Sequence, residues 1–161
     1  MRNQTVAKTA ILLSLALVLG YVEHLIPLPL PFPGVKIGLS NLVLLFALYQ
    51  LRPANAWLIM LLKVLLTSLL FSGFSAFFYS LLGGVFSLLV MQLARRFCSE
   101  VGTSILGGVF HNLGQLCAAA ILFGTASVFY YLPPLFVSGA GFGFLLGVLI
   151  RLLLQHLPSS I

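Results

Sequence analysis

Residues 54–71 read ANAWLIMLLKVLLTSLLF, an apolar run broken by one charge, Lys63, halfway along it. At about 1.5 Å of rise per residue, a helix through this run covers roughly 27 Å, close to the hydrocarbon thickness of a bilayer. Further runs of similar character cover 9–26, 37–51, 74–93, 103–124 and 133–154. The run 37–51 is the shortest, and its helix begins earlier if Lys36 reaches back to the interface along its alkyl stem. The pattern predicts an all-α, polytopic membrane protein, with residues 1–161 forming a single transmembrane domain of six helices. The breaks between runs carry turn chemistry: the proline-rich Pro27–Gly34 segment, Arg52-Pro53, Ser72-Gly73, Arg95–Gly102 and Tyr130–Pro134.

Composition agrees. Hydrophobic residues make up 61% of the chain and charged residues 6%, too little polar surface to coat a water-soluble globule. The formal charge of +6 comes from basic residues scattered between apolar runs, with no stripe or arm to hold nucleic acid. Cys98 and Cys117 are too few for a disulfide framework and read as reduced thiols. Arg2 and Lys8 ahead of an apolar run suit a secretory signal. The Tyr21-Val22-Glu23-His24 segment that follows has no small-residue cleavage pattern, so the first run is kept as a span.

Charge also sets an expected orientation. With the amino terminus inside, Arg2, Lys8, Arg52, Arg95, Arg96 and Arg151 fall at cytoplasmic ends, leaving Lys36 outside and Lys63 within a span. Both termini are then cytoplasmic. The outer surface carries the Tyr130-Tyr131 pair and the Pro27–Lys36 loop, which reads equally as a lid or as a stiff connector.

Small residues recur at helical spacing. Gly139, Gly143 and Gly147 form a stripe on the last helix, and Ser80 with Gly84 and Gly83 with Ser87 repeat it on the fourth. The 139–143 run superficially resembles a phosphate loop, but it lies inside an apolar helix and is rejected as one. On the first helix, Ala10 with Ser14 and Ala16 with Gly20 make two stripes. Both suit internal packing, and one is a candidate for docking a partner subunit.

Polar residues inside the runs are the candidates for function. Lys63 and His111 fall at matching depth near the midplane, where an ammonium costs several kcal/mol unless paired or hydrated. His111, Asn112 and Gln115 share one region of the fifth helix through spacings of three and four. Lys63, His111, Asn112 and Gln115 are therefore candidate substrate-binding residues, with Asn41 and Lys36 near the entrance and Ser40 beside Asn41. The competing explanation is interhelical hydrogen bonding by the histidine and amides, and pairing of Glu23 with Lys36 or Lys63.

The chain has no aspartate, and its acids are Glu23 and Glu100. Such a site favours an anionic or hydrogen-bonding ligand over a metal cation. Magnesium-dependent prenyl or phosphoryl transfer needs clustered carboxylates, which are missing, and no nucleotide loop, metal-ligand cluster or serine–histidine–acid set stands out. The expectation is a protein without catalytic residues, metal or cofactor, hence not an enzyme.

The segments Pro33-Gly34-Val35-Lys36-Ile37-Gly38-Leu39-Ser40-Asn41, His111-Asn112-Leu113-Gly114-Gln115-Leu116 and Tyr131-Leu132-Pro133 together resemble a bacterial membrane family. It is the family labelled heptaprenyl diphosphate synthase component I, also called the Gx transporter family, and the resemblance spans nearly the whole chain. Size, six spans and an outer loop after the first helix are also similar to the substrate-binding S components of energy-coupling factor vitamin importers. Those importers dock a transmembrane coupling subunit, which works with ATPases, on an Ala-x-x-x-Ala pattern. This chain offers Ala10-x-x-x-Ser14 and Ala16-x-x-x-Gly20 in its place.

The resemblance implies a multi-pass protein of the bacterial inner membrane that binds a small vitamin-like or anionic solute for a transporter. It implies, as the runner-up, a second role, because the family is associated with isoprenoid, quinone and flavin-based extracellular electron-transfer systems. In that role the chain is a non-catalytic membrane component of heptaprenyl diphosphate synthase or a redox partner.

Overall fold

The computed structural model describes residues 2–26 and 37–156. Lys36 and the Pro27–Gly34 segment lie outside the described residues. Six α-helices follow in order: α1 (Arg2–Leu25), α2 (Leu39–Gln50), α3 (Pro53–Thr67), α4 (Gly73–Ala94), α5 (Glu100–Phe123) and α6 (Leu132–His156). A π-helical turn, Ser68–Ser72, extends α3, and a 3₁₀ turn, Ala126–Tyr131, leads into α6. No strand occurs among the described residues.

Five segments are long and apolar enough to cross a bilayer: Asn3–Leu25, Pro53–Leu70, Gly73–Ala94, Glu100–Phe123 and Ala126–His156. The chain is a multi-pass membrane protein. The expected sixth span over 37–51 is corrected, since α2 has 12 residues and at about 1.5 Å each covers only ~18 Å. Both of its ends have a local cause. Gly38 sits at φ 82°, a left-handed backbone that suits glycine, and so starts the helix late. Pro53 forces Arg52 into extended backbone (φ −65°, ψ 143°), which stops α2 and places proline in the first turn of α3, where its missing amide costs nothing.

Although short, α2 lies at the centre. Val43, Leu44, Leu45 and Leu48 are almost fully buried with Ile59, Met60 and Val64 of α3, Leu88 and Met91 of α4, and Ile150 of α6. A helix apolar all round is stable where neighbours surround it. α1 packs on α2 and α3, and α5 lies between α4 and α6.

The glycine stripe on α6 is the α5–α6 seam. A Cβ on Gly139 would lie 2.8 Å from the Gly108 carbonyl oxygen, and one on Gly143 would lie 2.8 Å from Ile105 Cα. Backbone therefore meets backbone along this seam, gaining dispersion contacts that lipid cannot match. On α1 the two small-residue stripes part. Ala16 is fully buried, and a Cβ on Gly20 would lie 3.9 Å from both Ser40 and Thr67, whereas Ala10 and Ser14 face outward. Of the two stripes, Ala16–Gly20 thus packs on α2 and α3, and Ala10–Ser14 lies on the outer face of α1.

Contacts such as Glu23 with Gly38, Trp57 with Gln92, Gly107 with Met91 and Gly147 with Val101 make successive helices antiparallel, so α1 starts and α6 ends at the same end of the bundle, with Lys8, Arg52, Arg95, Arg96 and Arg151. There Arg95 donates to the Leu48 carbonyl, a cation satisfying the last turn of α2. Trp57 donates to Gln92 (2.8 Å), Tyr49 to Thr103 (3.2 Å), and Ser99 caps α5 by accepting from Gly102 N–H. Glu100 adds an acid to that positive helix start.

Because Gly139 is pinned against backbone while nothing approaches within 4 Å of a Cβ at Gly141, Gly139→Ala should cost about 1–3 kcal/mol. Gly141→Ala should leave the melting temperature in detergent unchanged. Equal melting temperatures for the two variants would contradict the seam.

Candidate functional site

An ammonium in the hydrophobic zone must keep its hydrogen bonds, and Lys63 does so across a helix boundary. Its Nζ donates to Ser40 Oγ at 2.7 Å, with both residues buried. Directly after it, α3 loosens. Thr67 Oγ1 donates to the Lys63 carbonyl (2.8 Å), Ser68 Oγ donates to the Val64 carbonyl (2.6 Å), and the π turn begins. Such widened turns tilt neighbouring carbonyls and often border functional sites.

Lys63 lines a cavity of about 100 Å³ that draws on all six helices. Asn41 lies on its wall one turn into α2, and His111, Asn112 and Gln115 come from α5. Five of the six residues singled out in the sequence thus surround one space, the sixth being Lys36. Glycines make the room: at Gly83 of α4, a Cβ would lie 2.9 Å from the His111 ring and 3.1 Å from Gln115 Cγ, so these two side chains occupy the place a larger residue would fill.

The five are not equivalent. Asn112 is buried, and its Nδ2 donates to the Leu135 carbonyl at 2.6 Å, so that its amide nitrogen ties α5 to α6. The buried Oδ1 of Asn41 has no hydrogen-bond partner among the described residues. An unpaired buried carbonyl oxygen costs about 1–3 kcal/mol, which a ligand or water donor at that point offsets.

Sequence reasoning treated Glu23 as a possible ion-pair partner and did not place it in the site. It lines the same cavity as Lys63, as does His24. The Glu23 carboxylate accepts from Gly38 N–H, capping α2 from a neighbouring helix. Ser87 was visible only as a small residue in a stripe. It is fully buried on the cavity wall, and its Oγ has no partner among the described residues. A serine at a small-residue spacing gives no signal that separates packing from lining.

Across residues 12–153 the sequence matches the family model described as heptaprenyl diphosphate synthase component I. No curated protein and no solved structure matches the chain. The matched region takes in part or all of every helix and every described residue of the cavity wall, so this chain belongs to the heptaprenyl diphosphate synthase component I family.

Proposed function

We propose that this protein is the solute-binding membrane subunit of a small-molecule transporter, similar in role to the S components of energy-coupling factor importers. The observation that carries the reading is the meeting of Lys63, His111, Gln115 and Asn41 around one cavity inside an apolar bundle. Interhelical hydrogen bonding alone accounts for Asn112, but it gives no reason to keep a lysine and an unsatisfied amide oxygen beside a cavity. The cavity wall includes Glu23, His24 and Gly38, at the end of the bundle opposite the arginines. In the orientation set by the basic residues this end faces outward from a bacterial inner membrane, as a capture site for import requires.

Energy comes from a partner in this reading. The outward Ala10–Ser14 stripe on α1 is the surface left for a transmembrane coupling subunit that works with ATPases. No covalent chemistry is assigned to the chain itself. Its two acids, Glu23 and Glu100, lie at opposite ends of the bundle and do not make the carboxylate cluster that magnesium-dependent prenyl transfer requires. The family description favours a second reading, a non-catalytic membrane component working beside a prenyl synthase or a quinone or flavin redox system. Purification from native membranes in mild detergent, with mass spectrometry of bound proteins and solutes, separates the two. An ATPase with a coupling subunit supports transport, whereas a prenyl synthase or redox protein over an empty site supports the second.

Lys63→Met keeps length and removes charge. It should reduce retention of the native solute about tenfold or more, the usual size of a lost charged hydrogen bond. Thermal stability should hold or rise, since replacing a buried charge by an apolar side chain of similar volume is often neutral or stabilising. Unchanged retention would remove Lys63 from the site. For the orientation, exposed Cys98 beside Arg95 and Arg96 should react with a membrane-impermeant maleimide only after the cells are opened. Labelling of intact cells would invert the topology.

A further inference from the structure

The cavity reaches well past the level of Lys63. Its wall on α5 runs from Gln115 down to Ser104, about 16 Å of helical rise, and α4 follows with Ser80, Ser87 and Met91. At one end it is bordered by half-buried Glu23 and exposed His24. At the other end stand Met91, three residues before the end of α4, and Ser104, four residues after the start of α5. The cavity therefore stops roughly 5 Å short of the arginine-bearing end of the bundle.

Met91 fills the space at this inner end. A Cβ on Gly107 would lie 2.6 Å from Met91 Sδ and 2.7 Å from its Cγ, so the thioether rests in the notch that the glycine leaves. One turn further along both helices the chemistry is polar again. Thr103 accepts from the Tyr49 hydroxyl (3.2 Å), and Arg95 donates to the Leu48 carbonyl. One apolar side chain thus separates two polar stretches. Methionine, unbranched and with three rotatable bonds, changes shape at little cost, and an apolar constriction excludes hydrated solutes while it is closed.

The closed position leaves a hydroxyl unmet. Ser87, four residues before Met91, is fully buried, and its Oγ lies 3.3 Å from the place of a Gly107 Cβ with no hydrogen-bond partner among the described residues. Other helical hydroxyls turn back to the carbonyl four residues earlier: Ser14 to Ala10, Thr67 to Lys63 and Ser68 to Val64. Ser87 does not. Withdrawing the thioether lets water or a passing solute reach this oxygen, so opening regains hydrogen bonding that the closed state withholds.

We infer that Met91 is the inner gate of the solute path: it seals the cavity from the arginine-bearing end and swings off Gly107 to release a small hydrogen-bonding solute there. This rests on the solute-binding reading above and adds that the chain carries its own exit.

The test is urea permeation of proteoliposomes holding the full chain, read by stopped-flow light scattering, with Met60→Ala as the control. Met60 packs on Gly84 as Met91 packs on Gly107, its Sδ 2.9 Å from the place of a Cβ, but it belongs to the apolar core and not to the cavity wall. The two truncations remove the same atoms. Wild type, Met60→Ala and Met91→Leu are expected to match empty liposomes, and Met91→Ala to pass urea about tenfold faster. Melting temperatures identify the folded variants. Met91→Gln, equal in length but polar, should also leak and carries the test if Met91→Ala does not fold.

A folded Met91→Ala or Met91→Gln chain no faster than empty liposomes overturns the gate and leaves the solute-binding reading to retention of its native solute. Equal leaks in Met91→Ala and Met60→Ala also overturn the gate, since they report a loosened bundle. A wild type that passes urea as fast as Met91→Ala overturns both, because a cavity open at each end is a channel.

Discussion

A primary ammonium cannot lie in hydrocarbon without partners, and the arrangement of this bundle follows from holding Lys63 there. Ser40 Oγ accepts its hydrogen bond, and Ser40 is in place because α2 starts directly after Gly38, late and from a left-handed turn. That start leaves α2 too short to span a bilayer, and the other helices enclose it. A short central helix leaves space near its amino end. The cavity lies in that space, with the polar side chains of α3 and α5 turned to it.

α5 contributes in a different way. Along one side its backbone meets α6 at Gly108, Ile105 and Val101. On another, a Cβ on Gly114 would lie 2.5 Å from the Leu82 carbonyl oxygen of α4. Seams this close resist sliding, because moving either helix by a fraction of a turn drives side chains into backbone. α4, α5 and α6 therefore form a stiff half, against which α1, α2 and α3 complete the wall. Asn112 reinforces the stiff half by bonding the Leu135 carbonyl, so that of His111, Asn112 and Gln115 this one has a structural task.

Much of this was legible in the sequence, for reasons that can be named. Apolar length gave the helices and the turn residues gave their limits, because a bilayer admits few alternatives for a backbone without water. Lys63, His111 and Gln115 were conspicuous because polar groups are rare in such runs. The error over 37–51 arose because apolar composition does not distinguish a helix surrounded by lipid from one surrounded by protein. Only the Gly38 and Pro53 backbone limits do so, and α2 is the second kind. Glu23 was seen but not placed, since its role depends on the approach of two helices joined by a segment without periodicity. The α1 stripes looked alike in sequence and differ in rotation about the helix axis, which decides that Ala16 is inside and Ala10 outside.

The hydrogen bond from Gly38 to Glu23 also closes a ring in the chain, because it joins residues on either side of the connection from α1 to α2. With both ends of the connection clasped at its base, the bundle does not feel how long the connection is. Lengthening a closed loop adds only about 0.6 kcal/mol for each doubling. A reporter peptide inserted into the Pro27–Phe32 part of this connection should therefore leave stability almost constant. A change of length there leaves Glu23 and Gly38, both on the cavity wall, bonded to each other as before.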